Sequence, residues 1–282
     1  MRIIRDIQEM QAASRAATVQ GLTIGFVPTM GALHEGHLSL VRLARSRASL
    51  VVVSIFVNPL QFGPAEDFNQ YPRTLEADCA RLEAEGADIV FAPSTVQMYP
   101  AGATTAVYVE GLSEKLDGRS RPGHFRGVST VVAKLFHIVQ TAYAVFGQKD
   151  AAQVAVLRRM VRDLNMDIEL IVAPIVREAD GLALSSRNAY LTAEQRRQAL
   201  VLHRALTQVE TLAGAGETRA AKLRAAALSV IASEPAALLD YFGIIDPDTL
   251  EPLEDTTQGA LAAVAATFGS TRLIDNLLLP AR

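Results

Sequence analysis

Short apolar segments alternate with longer segments of helical periodicity along the first two thirds of the chain. The apolar runs predict β-strands at residues 24–28, 50–57, 89–92, 107–110, 142–146 and 167–172. Apolar positions three and four residues apart predict helices at residues 6–19, 38–46, 74–85, 129–140, 151–164 and 193–213. The run 51–57 is apolar at nearly every position, which is typical of a strand covered on both faces of a parallel sheet. The alternation predicts a doubly wound α/β domain with a parallel sheet.

The pattern changes after about residue 187. A long alanine-rich helical segment is followed by Gly214-Ala215-Gly216 and then by a second helical segment that reaches residue 228. Short strand patterns return at residues 241–245 and 271–276. We therefore expect a first domain at residues 1–175 and a smaller α+β domain at residues 176–282.

Composition narrows the class of protein. The chain has 282 residues, half of them apolar and a fifth charged, which is typical of a globular protein. A net charge of −3 gives no reason to expect a nucleic-acid partner. The single cysteine, Cys79, excludes an internal disulfide and a cysteine-based metal cluster. We found neither a signal-peptide pattern nor an apolar run of the ~18 residues that span a bilayer, so we expect a cytoplasmic protein without membrane contact.

The most informative segment joins the first of these apolar strands to a helix and reads Pro28-Thr29-Met30-Gly31-Ala32-Leu33-His34-Glu35-Gly36-His37. Ligands of open α/β sheets bind at the carboxyl ends of the strands, and the N-terminus of the next helix suits phosphate. A zinc site is not supported, because catalytic zinc usually needs three protein ligands and His34-Glu35-Gly36-His37 is one residue too short for the His-Glu-x-x-His motif. Two readings remain open: the histidines bind phosphate, or they only cap the helix.

Two further polar segments also follow predicted strands. Asn58-Pro59-Leu60-Gln61 comes after the second strand and can be a simple Asn-Pro turn or part of a binding site. Gly147-Gln148-Lys149-Asp150 precedes a helix, where Asp150 and Gln153 can form a capping box. Capping leaves Lys149 unexplained, since a cation at a helix N-terminus is disfavoured unless an anion binds there.

A fourth polar segment runs from Arg177 to Asn188 and contains Ser185-Ser186-Arg187. It can be an interdomain connection that leads to a helix capped by Thr192 and Gln195. It can also bind phosphate, because the planar guanidinium of Arg187 donates several hydrogen bonds to phosphate oxygens.

These motifs carry a family resemblance. His34-Glu35-Gly36-His37 resembles the His-x-Gly-His signature of the nucleotidyltransferase superfamily, and the longer string from Pro28 to His37 resembles the pantothenate synthetase (pantoate–β-alanine ligase) family. All four segments occur in that family's order, and no phosphate loop of the Gly-x-x-x-x-Gly-Lys-Ser/Thr type competes with them. The resemblance implies a Rossmann-like doubly wound domain and a smaller C-terminal α+β domain.

The resemblance also implies a reaction. ATP would activate (R)-pantoate as pantoyl adenylate, and the amine of β-alanine would then displace AMP to give pantothenate. By the same resemblance His34, His37 and Lys149 are the catalytic residues. The ATP-contacting residues it implies are Met30, Gly31, Ala32, Leu33, His34, Glu35, Gly36, His37, Gly147, Gln148, Lys149, Asp150, Val176, Leu184, Ser185, Ser186 and Arg187. Those it implies for pantoate and β-alanine are Asn58, Gln61 and Gln153.

Other expectations follow from the same resemblance. Mg²⁺ would accompany ATP, although no metal ligand can be named from the sequence. The protein would be a homodimer, and the Ser185–Arg187 loop with the C-terminal domain would close over the acyl adenylate. Two alternatives stay open: another adenylyltransferase of the superfamily, and a nucleotide-binding regulator without catalysis. Arg121 and Arg126 can bind pantoate, order a flap or form surface ion pairs.

Overall fold

The computed structural model describes residues 1–64, 66 and 68–282, and they form two compact units. The first unit consists of Met1–Gly147 and Val156–Pro174, and the second of Gln148–Ala155 and Ile175–Arg282.

A six-stranded parallel sheet forms the centre of the first unit. Its strand order is β1-β4-β3-β2-β5-β6. The strands are β1 (Arg2–Ile4), β2 (Ile24–Thr29), β3 (Leu50–Ile55), β4 (Ile89–Phe91), β5 (Tyr143–Gly147) and β6 (Glu169–Ala173). The continuous apolar runs of the sequence are buried in it, with Val51, Val52 and Val53 fully buried. The predicted doubly wound α/β architecture is confirmed.

Helices pack against this sheet and begin where local chemistry favours it. They are α1 (Ile7–Val19), α2 (Glu35–Arg45), α3 (Leu75–Ala84), α4 (Thr95–Met98), α5 (Asp117–Ser120), α6 (His124–Val139) and α7 (Ala151–Asp163), the last of which contains residues of both units. Asp6 caps α1 by accepting a hydrogen bond from Glu9 N at 2.9 Å. Helix α6 begins five residues before its predicted start, directly after Gly123, whose φ of +83° few other residues adopt.

The strand register brings two of the four polar segments, and Gly147 of a third, to one edge of the sheet. Thr29 at the end of β2 is paired with Ile55 at the end of β3. Strand β5 lies on the other side of β2, with Phe26 paired to Ala144, and ends at Gly147. The segments that begin after these strands therefore start from neighbouring positions at the carboxyl edge, where parallel sheets bind ligands.

The second unit combines two long helices with a three-stranded antiparallel sheet. Its elements are α8 (Ala193–Gly214), α9 (Ala220–Ala232), β7 (Leu238–Ile245), β8 (Ala260–Phe268) and β9 (Thr271–Leu279). Helix α8 begins with the predicted reciprocal cap, in which Gln195 N donates to Thr192 Oγ1 at 3.2 Å and Thr192 N donates to Gln195 Oε1 at 3.0 Å. Val201, Leu202 and Leu206 of α8 pack with Val264 and Phe268 of β8 in its core.

Three strand predictions were wrong or missing. Residues 107–110 form no strand, because Val107 N donates to Thr130 Oγ1 of α6 at 2.9 Å and Val109 O accepts from a turn residue, Ser113. Strand β1 and strand β8 were not predicted. Within the described residues no helix is both long enough and apolar enough to span a bilayer.

Candidate active site

The loop between β2 and α2 is held by one buried carboxylate. Asp78 of α3 is 1% exposed and accepts hydrogen bonds from Ala32 N at 3.0 Å and Leu33 N at 2.9 Å. Thr74 Oγ1 also donates to Asp78, at 3.0 Å, and Arg81 of the same helix donates to Leu33 O. Gly31 has a φ of +84°, and a Cβ there would lie 3.1 Å from Asp78 Oδ2. Helix α3 thus fixes the backbone that leads into the two histidines.

His34 and His37 cap the start of α2 reciprocally. His34 Nδ1 accepts from Gly36 N at 3.2 Å, and His37 Nδ1 accepts from His34 N at 3.3 Å. The two rings lie 4.1 Å apart between centroids. Each Nδ1 accepts from a backbone N–H, so an N–H donor of either imidazole in this arrangement is at Nε2. The capping that the sequence allowed is therefore observed, and phosphate binding by the two rings stays a prediction.

Leu33 and Glu35 of this segment lie in different surroundings. The side chain of Leu33 is buried in the core, and both polar groups of its backbone are bonded to α3. Glu35 forms an ion pair with Arg42 on the outer face of α2, and Arg42 also bonds Glu85 at 2.7 Å. The ATP contacts predicted for Leu33 and Glu35 stay predictions, as do those of Met30, Gly31, Ala32 and Gly36.

The amide of Gln61 is held at both ends. Its Oε1 accepts from Asn58 Nδ2 at 3.1 Å, and its Nε2 donates to the sulfur of Met30 at 3.0 Å. The structure thus brings Gln61 next to the loop of the two histidines. Gln61 lies at the end of a 3₁₀ turn, Pro59–Gln61, which Asn58 caps through Leu60 N.

Asn58 supports this turn with all of its amide groups. It is 1% exposed, and its Nδ2 donates to Gly127 O at 3.1 Å as well as to Gln61. Its Oδ1 accepts from Leu60 N at 3.3 Å and from Tyr99 Oη at 2.8 Å. Two donors and two acceptors exhaust the hydrogen-bonding capacity of an amide. In this structure Asn58 orients Gln61, and its direct contact with substrate stays a prediction.

Helix α6 packs tightly on the same turn. A Cβ at Gly127 would clash with the carbonyl of Leu60 and lie 2.6 Å from Gln61 N. His124 Nδ1 lies 2.8 Å from Gln61 O, and Arg121 Nη2 donates to that oxygen at 3.3 Å. The turn therefore depends on a glycine and two basic residues that lie about 60 positions further along the chain.

His124 is neutral in this network. Burial lowers its pKa to about 4, and the adjacent Arg121 guanidinium adds to the effect. With its proton on Nδ1 and donated to Gln61 O, its Nε2 accepts from Arg121 Nη1 at 3.1 Å. Arg121 also forms a bidentate ion pair with Glu66, at 2.8 and 2.6 Å. Although burial raises the pKa of Glu66, its hydrogen bonds and ion pair with Arg121 hold the pKa below its usual range. Of the alternatives left open for Arg121, the ion pair is the one observed.

In the second unit, the Gln148–Asp150 segment is a 3₁₀ turn that runs into α7. Lys149 Nζ lies 3.8 Å from Asp150 Oδ1. Asn276 of β9 donates from Nδ2 to Gln148 O at 3.0 Å and to Lys149 O at 2.9 Å. The predicted residues Gln148, Lys149, Asp150 and Gln153 are thus adjacent in the second unit, whereas Gly147 is the last residue of β5.

The second unit also contains the Val176–Arg187 segment. Arg177 and Ala183 form an isolated antiparallel bridge in it, beside which Leu184 N donates to Val176 O at 3.0 Å and Glu178 N donates to Leu182 O at 2.8 Å. Ser185 then caps a 3₁₀ helix, Ser186–Tyr190, by accepting from Arg187 N at 3.2 Å. The predicted ATP contacts Val176 and Leu184 are therefore neighbours, and Ser185, Ser186 and Arg187 follow directly.

Asp78 and Asn276 were missed as site-supporting residues because neither lies within the recognised motifs, and the sequence shows only a helical aspartate and an asparagine in a strand. His124 and Gly127 lie in the stretch around Arg121 and Arg126 that also resembles the family, but only the two arginines were given candidate roles. Cys79 is buried in the core next to Asp78, and burial raises the pKa of its thiol, so its role is packing.

Comparison with known proteins decides the family. A family model described as pantoate-beta-alanine ligase matches residues 2–278. The chain belongs to the pantoate–β-alanine ligase family. The resemblance seen in the four motifs is therefore confirmed, and with it the assignment to a family of ligases.

Relatives in this ligase family cover the whole chain. The pantothenate synthetase of Koribacter versatilis is 64% identical over 281 residues, which cover 100% of this chain and 97% of that protein. That of Acidobacterium capsulatum is 66% identical over 257 residues, covering 91% and 86%.

Solved structures agree in fold. The crystal structure of pantothenate synthetase from Thermus thermophilus has a TM-score of 0.93 and 49% identity, covering 98% of this chain and 99% of that one. The pantoate-beta-alanine ligase from Francisella tularensis, complexed with beta-gamma ATP and beta-alanine, has a TM-score of 0.80 and 34% identity, covering 99% and 97%.

Proposed function

We propose that this protein condenses (R)-pantoate with β-alanine at the expense of ATP, releasing AMP and pyrophosphate. The observation that carries the proposal is the family match over residues 2–278. It is supported by the Francisella tularensis ligase, whose structure is described with an ATP compound and β-alanine bound.

The reaction takes two steps because a carboxylate is a poor acyl donor. In the first step a carboxylate oxygen of pantoate attacks the α-phosphorus of ATP, and the bond to pyrophosphate breaks. In the second step the free amine of β-alanine attacks the acyl carbon of pantoyl adenylate, and AMP leaves with the bonding electrons. The amine loses a proton as the amide forms.

The histidines carry the phosphate part of the proposal. Both rings have their proton on Nε2, because backbone N–H groups donate to each Nδ1. Two Nε2–H donors fixed by the start of α2 can stabilise the charge that grows on the α-phosphate during attack. We assign the same task to Lys149, and we assign triphosphate binding to Ser185, Ser186 and Arg187.

Mg²⁺ enters this proposal with ATP. Within the residues that the structure describes, no group of three or more histidine, cysteine, aspartate or glutamate side chains is arranged to hold a metal ion. Phosphate oxygens are good ligands for Mg²⁺, which neutralises part of their charge in phosphoryl and nucleotidyl transfer. We name no protein ligand for it.

Gln61 carries the pantoate part of the proposal. Its neutral amide can bond the hydroxyl and carboxylate groups of pantoate without adding negative charge, and Met30 and Asn58 hold it in place. Gln153 is assigned to pantoate as well. A homodimer in the cytoplasm completes the proposal, and light scattering of the purified protein tests the dimer.

The test is an assay for AMP with Mg-ATP, pantoate and β-alanine, each omitted in turn. We expect AMP only when all three are present. The proposed first step releases one pyrophosphate per active site before the amine is needed. Many turnovers of pyrophosphate release without β-alanine would therefore indicate another adenylyltransferase, and ATP binding without turnover would indicate a regulator.

One variant connects the reaction to the site. His37→Ala should lose a factor on the order of 10²–10³ in kcat, by analogy with removal of an oxyanion donor. His137→Ala is the matched control, because His137 is exposed on α6 and bonds only its own helix in the contacts described, at Ala133 O. Normal pyrophosphate release by His37→Ala would remove that histidine from the proposed mechanism.

A further inference from the structure

A buried asparagine in the last strand of the second unit contacts the turn that carries Lys149. Asn276 of β9 is 3% exposed. Its Nδ2 donates to Gln148 O at 3.0 Å and to Lys149 O at 2.9 Å, while its Oδ1 accepts from Gln148 Nε2 at 3.0 Å. One side chain thus makes three hydrogen bonds to two successive residues.

These bonds act on both peptide planes beside Lys149. The carbonyl of Gln148 belongs to the peptide before the Lys149 Cα, and the carbonyl of Lys149 belongs to the peptide after it. Fixing both planes fixes φ and ψ at Lys149, and with them the direction in which its Cβ leaves the backbone. An amide NH₂ group has two donor hydrogens, which matches two adjacent carbonyls.

Asn276 is itself held by an ion pair. Asp275, which is 4% exposed, accepts from Asn276 N at 2.8 Å and forms a bidentate pair with Arg177 at 2.6 and 2.9 Å. Arg177 Nη1 also donates to Gly181 O at 3.1 Å, within the segment that leads to Ser185. A bidentate guanidinium–carboxylate pair is geometrically specific, so the backbone at Asn276 has little freedom.

We propose that Asn276 is a positioning residue for Lys149, and that it acts on adenylate formation by setting the backbone from which the lysine side chain extends. The proposal rests on the proposed function, in which Lys149 stabilises phosphate charge. Asn276 touches no substrate in this scheme. We assign its effect on adenylate formation to Lys149, and the Lys149→Ala background separates that effect from one made through Gln148.

The test is a double-mutant cycle between Asn276→Asp and Lys149→Ala, assayed for pyrophosphate release with enzyme in excess. Asn276→Asp keeps the size of the side chain but replaces the NH₂ group, and with it both donor hydrogens, with one oxygen that faces two carbonyls. We expect Asn276→Asp alone to lower the rate of adenylate formation by about 10- to 100-fold, since misplacing a catalytic group by 1 Å can cost 10²-fold. In the Lys149→Ala background the same change should lower the rate less than about threefold, because the residue through which it acts is gone.

Two controls accompany the cycle. Thr271→Val changes another buried polar residue of β9, at the end that pairs with Phe268, and should leave the rate unchanged. Asn276→Ser keeps a smaller polar group if Asn276→Asp does not fold, and thermal unfolding identifies variants that are folded.

Each outcome decides between the two proposals. Wild-type protein that forms no AMP from the three substrates overturns the proposed function and this inference together. If wild-type protein is active, two results overturn the inference alone: folded Asn276 variants with wild-type rates, or equal losses in the wild-type and Lys149→Ala backgrounds. A Lys149→Ala variant with the wild-type rate overturns the inference together with the role proposed for Lys149, but not the proposed reaction.

Discussion

The buried carboxylate of Asp78 holds the loop between β2 and α2 by accepting hydrogen bonds from its backbone. A buried carboxylate with three donors around it, from Ala32 N, Leu33 N and Thr74 Oγ1, replaces its lost hydration by hydrogen bonds. Two of the three donors are backbone N–H groups of a loop, which lie outside any helix or strand. Because this loop ends at His34, the carboxylate fixes the position of the backbone from which the His34 and His37 side chains extend.

Asp78→Asn should weaken this arrangement without changing the size of the side chain. The new NH₂ group faces a backbone N–H that loses its acceptor, and an unsatisfied buried donor costs about 1–3 kcal/mol. We expect a free energy of unfolding lower by that amount and a kcat for adenylate formation lower by at least about tenfold. Urea unfolding and steady-state kinetics measure the two effects. Glu76→Gln, on the exposed side of α3, is the control, and a kcat for Asp78→Asn equal to that of the control would contradict the prediction.

Because His124 is buried, we predict that the free energy of unfolding decreases at acidic pH. Its pKa in the folded state is about 4, below the value of 6.5 for an unperturbed histidine. Between these values the unfolded chain binds a proton that the folded protein does not, so stability falls as the pH drops from about 6.5 to about 4. The full effect is about 3 kcal/mol, from 1.36 kcal/mol per unit of pKa. Above pH 6.5 His124 is neutral in both the folded and the unfolded state, so it no longer changes the stability with pH.

His124→Asn tests this prediction, because Asn Nδ2 can still donate to Gln61 O but does not titrate. Urea unfolding from pH 7 to pH 4 should give a flatter profile for this variant than for the wild type. His137→Asn, on the exposed face of the same helix, should follow the wild type. Parallel profiles for His124→Asn and the wild type would show that His124 does not cause the decrease in stability at acidic pH.

The residues that the sequence predicted are those that lie inside motifs. His34, His37 and Gln61 follow strands of a parallel sheet, so their shared edge could be derived from the alternation of elements. The contacts of Asp78 and Asn276 span 45 and 127 residues and depend on the packing of the finished fold. Nothing in a local pattern distinguishes such an aspartate from one that faces solvent.

At the scale of elements, the approach of α6 to the Pro59–Gln61 turn is set by a glycine. A methyl group at Gly127 would meet backbone atoms of Leu60 and Gln61, which cannot rotate away as a side chain does. The turn and the helix therefore need Gly127 in order to lie where Asn58 can bond the Gly127 carbonyl.

Gly127→Ala should displace the turn that carries Gln61. Overpacking of this kind usually costs about 1–3 kcal/mol, and it exceeds the gain in helix propensity from glycine to alanine. We expect a lower melting temperature and a KM for pantoate raised several-fold. Gly214→Ala, at the open end of α8 with no atom within 4 Å of the added methyl, is the matched control. Unchanged melting temperature and KM in Gly127→Ala would refute the steric argument.

Helices and strands were predicted where the hydrophobic pattern and the length of the segment indicated the same type of element. Strand β8 reads Ala260-Leu261-Ala262-Ala263-Val264-Ala265-Ala266-Thr267-Phe268, and its alanines favour helix by propensity. Its place in the middle of the antiparallel sheet, buried along almost its whole length, overrides that preference. Strand β1 has three residues, of which only Ile4 is buried, which is too short to show a period.

At the scale of the whole molecule, the order of elements was enough for the fold class and the motifs were enough for the family. The parallel sheet follows from continuous apolar strands that alternate with helices. The reaction follows from family membership, because a fold of this kind hosts many activities.

Closure over the acyl adenylate stays a prediction, and limited trypsin digestion tests it. The bond after Arg187 lies in a half-buried 3₁₀ helix that precedes α8. Mg-ATP together with pantoate should slow cleavage after Arg187, since ordered loops resist proteolysis. Cleavage after exposed Arg15 of α1 is the internal control. Equal rates at Arg187 with and without ligands would argue against closure of this loop.

The contact between Asn276 and Lys149 also has a consequence for the order in which the enzyme is made. Lys149 leaves the ribosome 127 residues before the asparagine that sets its backbone. At about 5–20 residues per second, the interval is roughly 6–25 s. During that time the parallel sheet up to β6 can pair, yet the lysine turn lacks its partner. If Asn276 positions Lys149 as we propose, a nascent chain forms its parallel sheet before the lysine is positioned, and full activity requires the final strand.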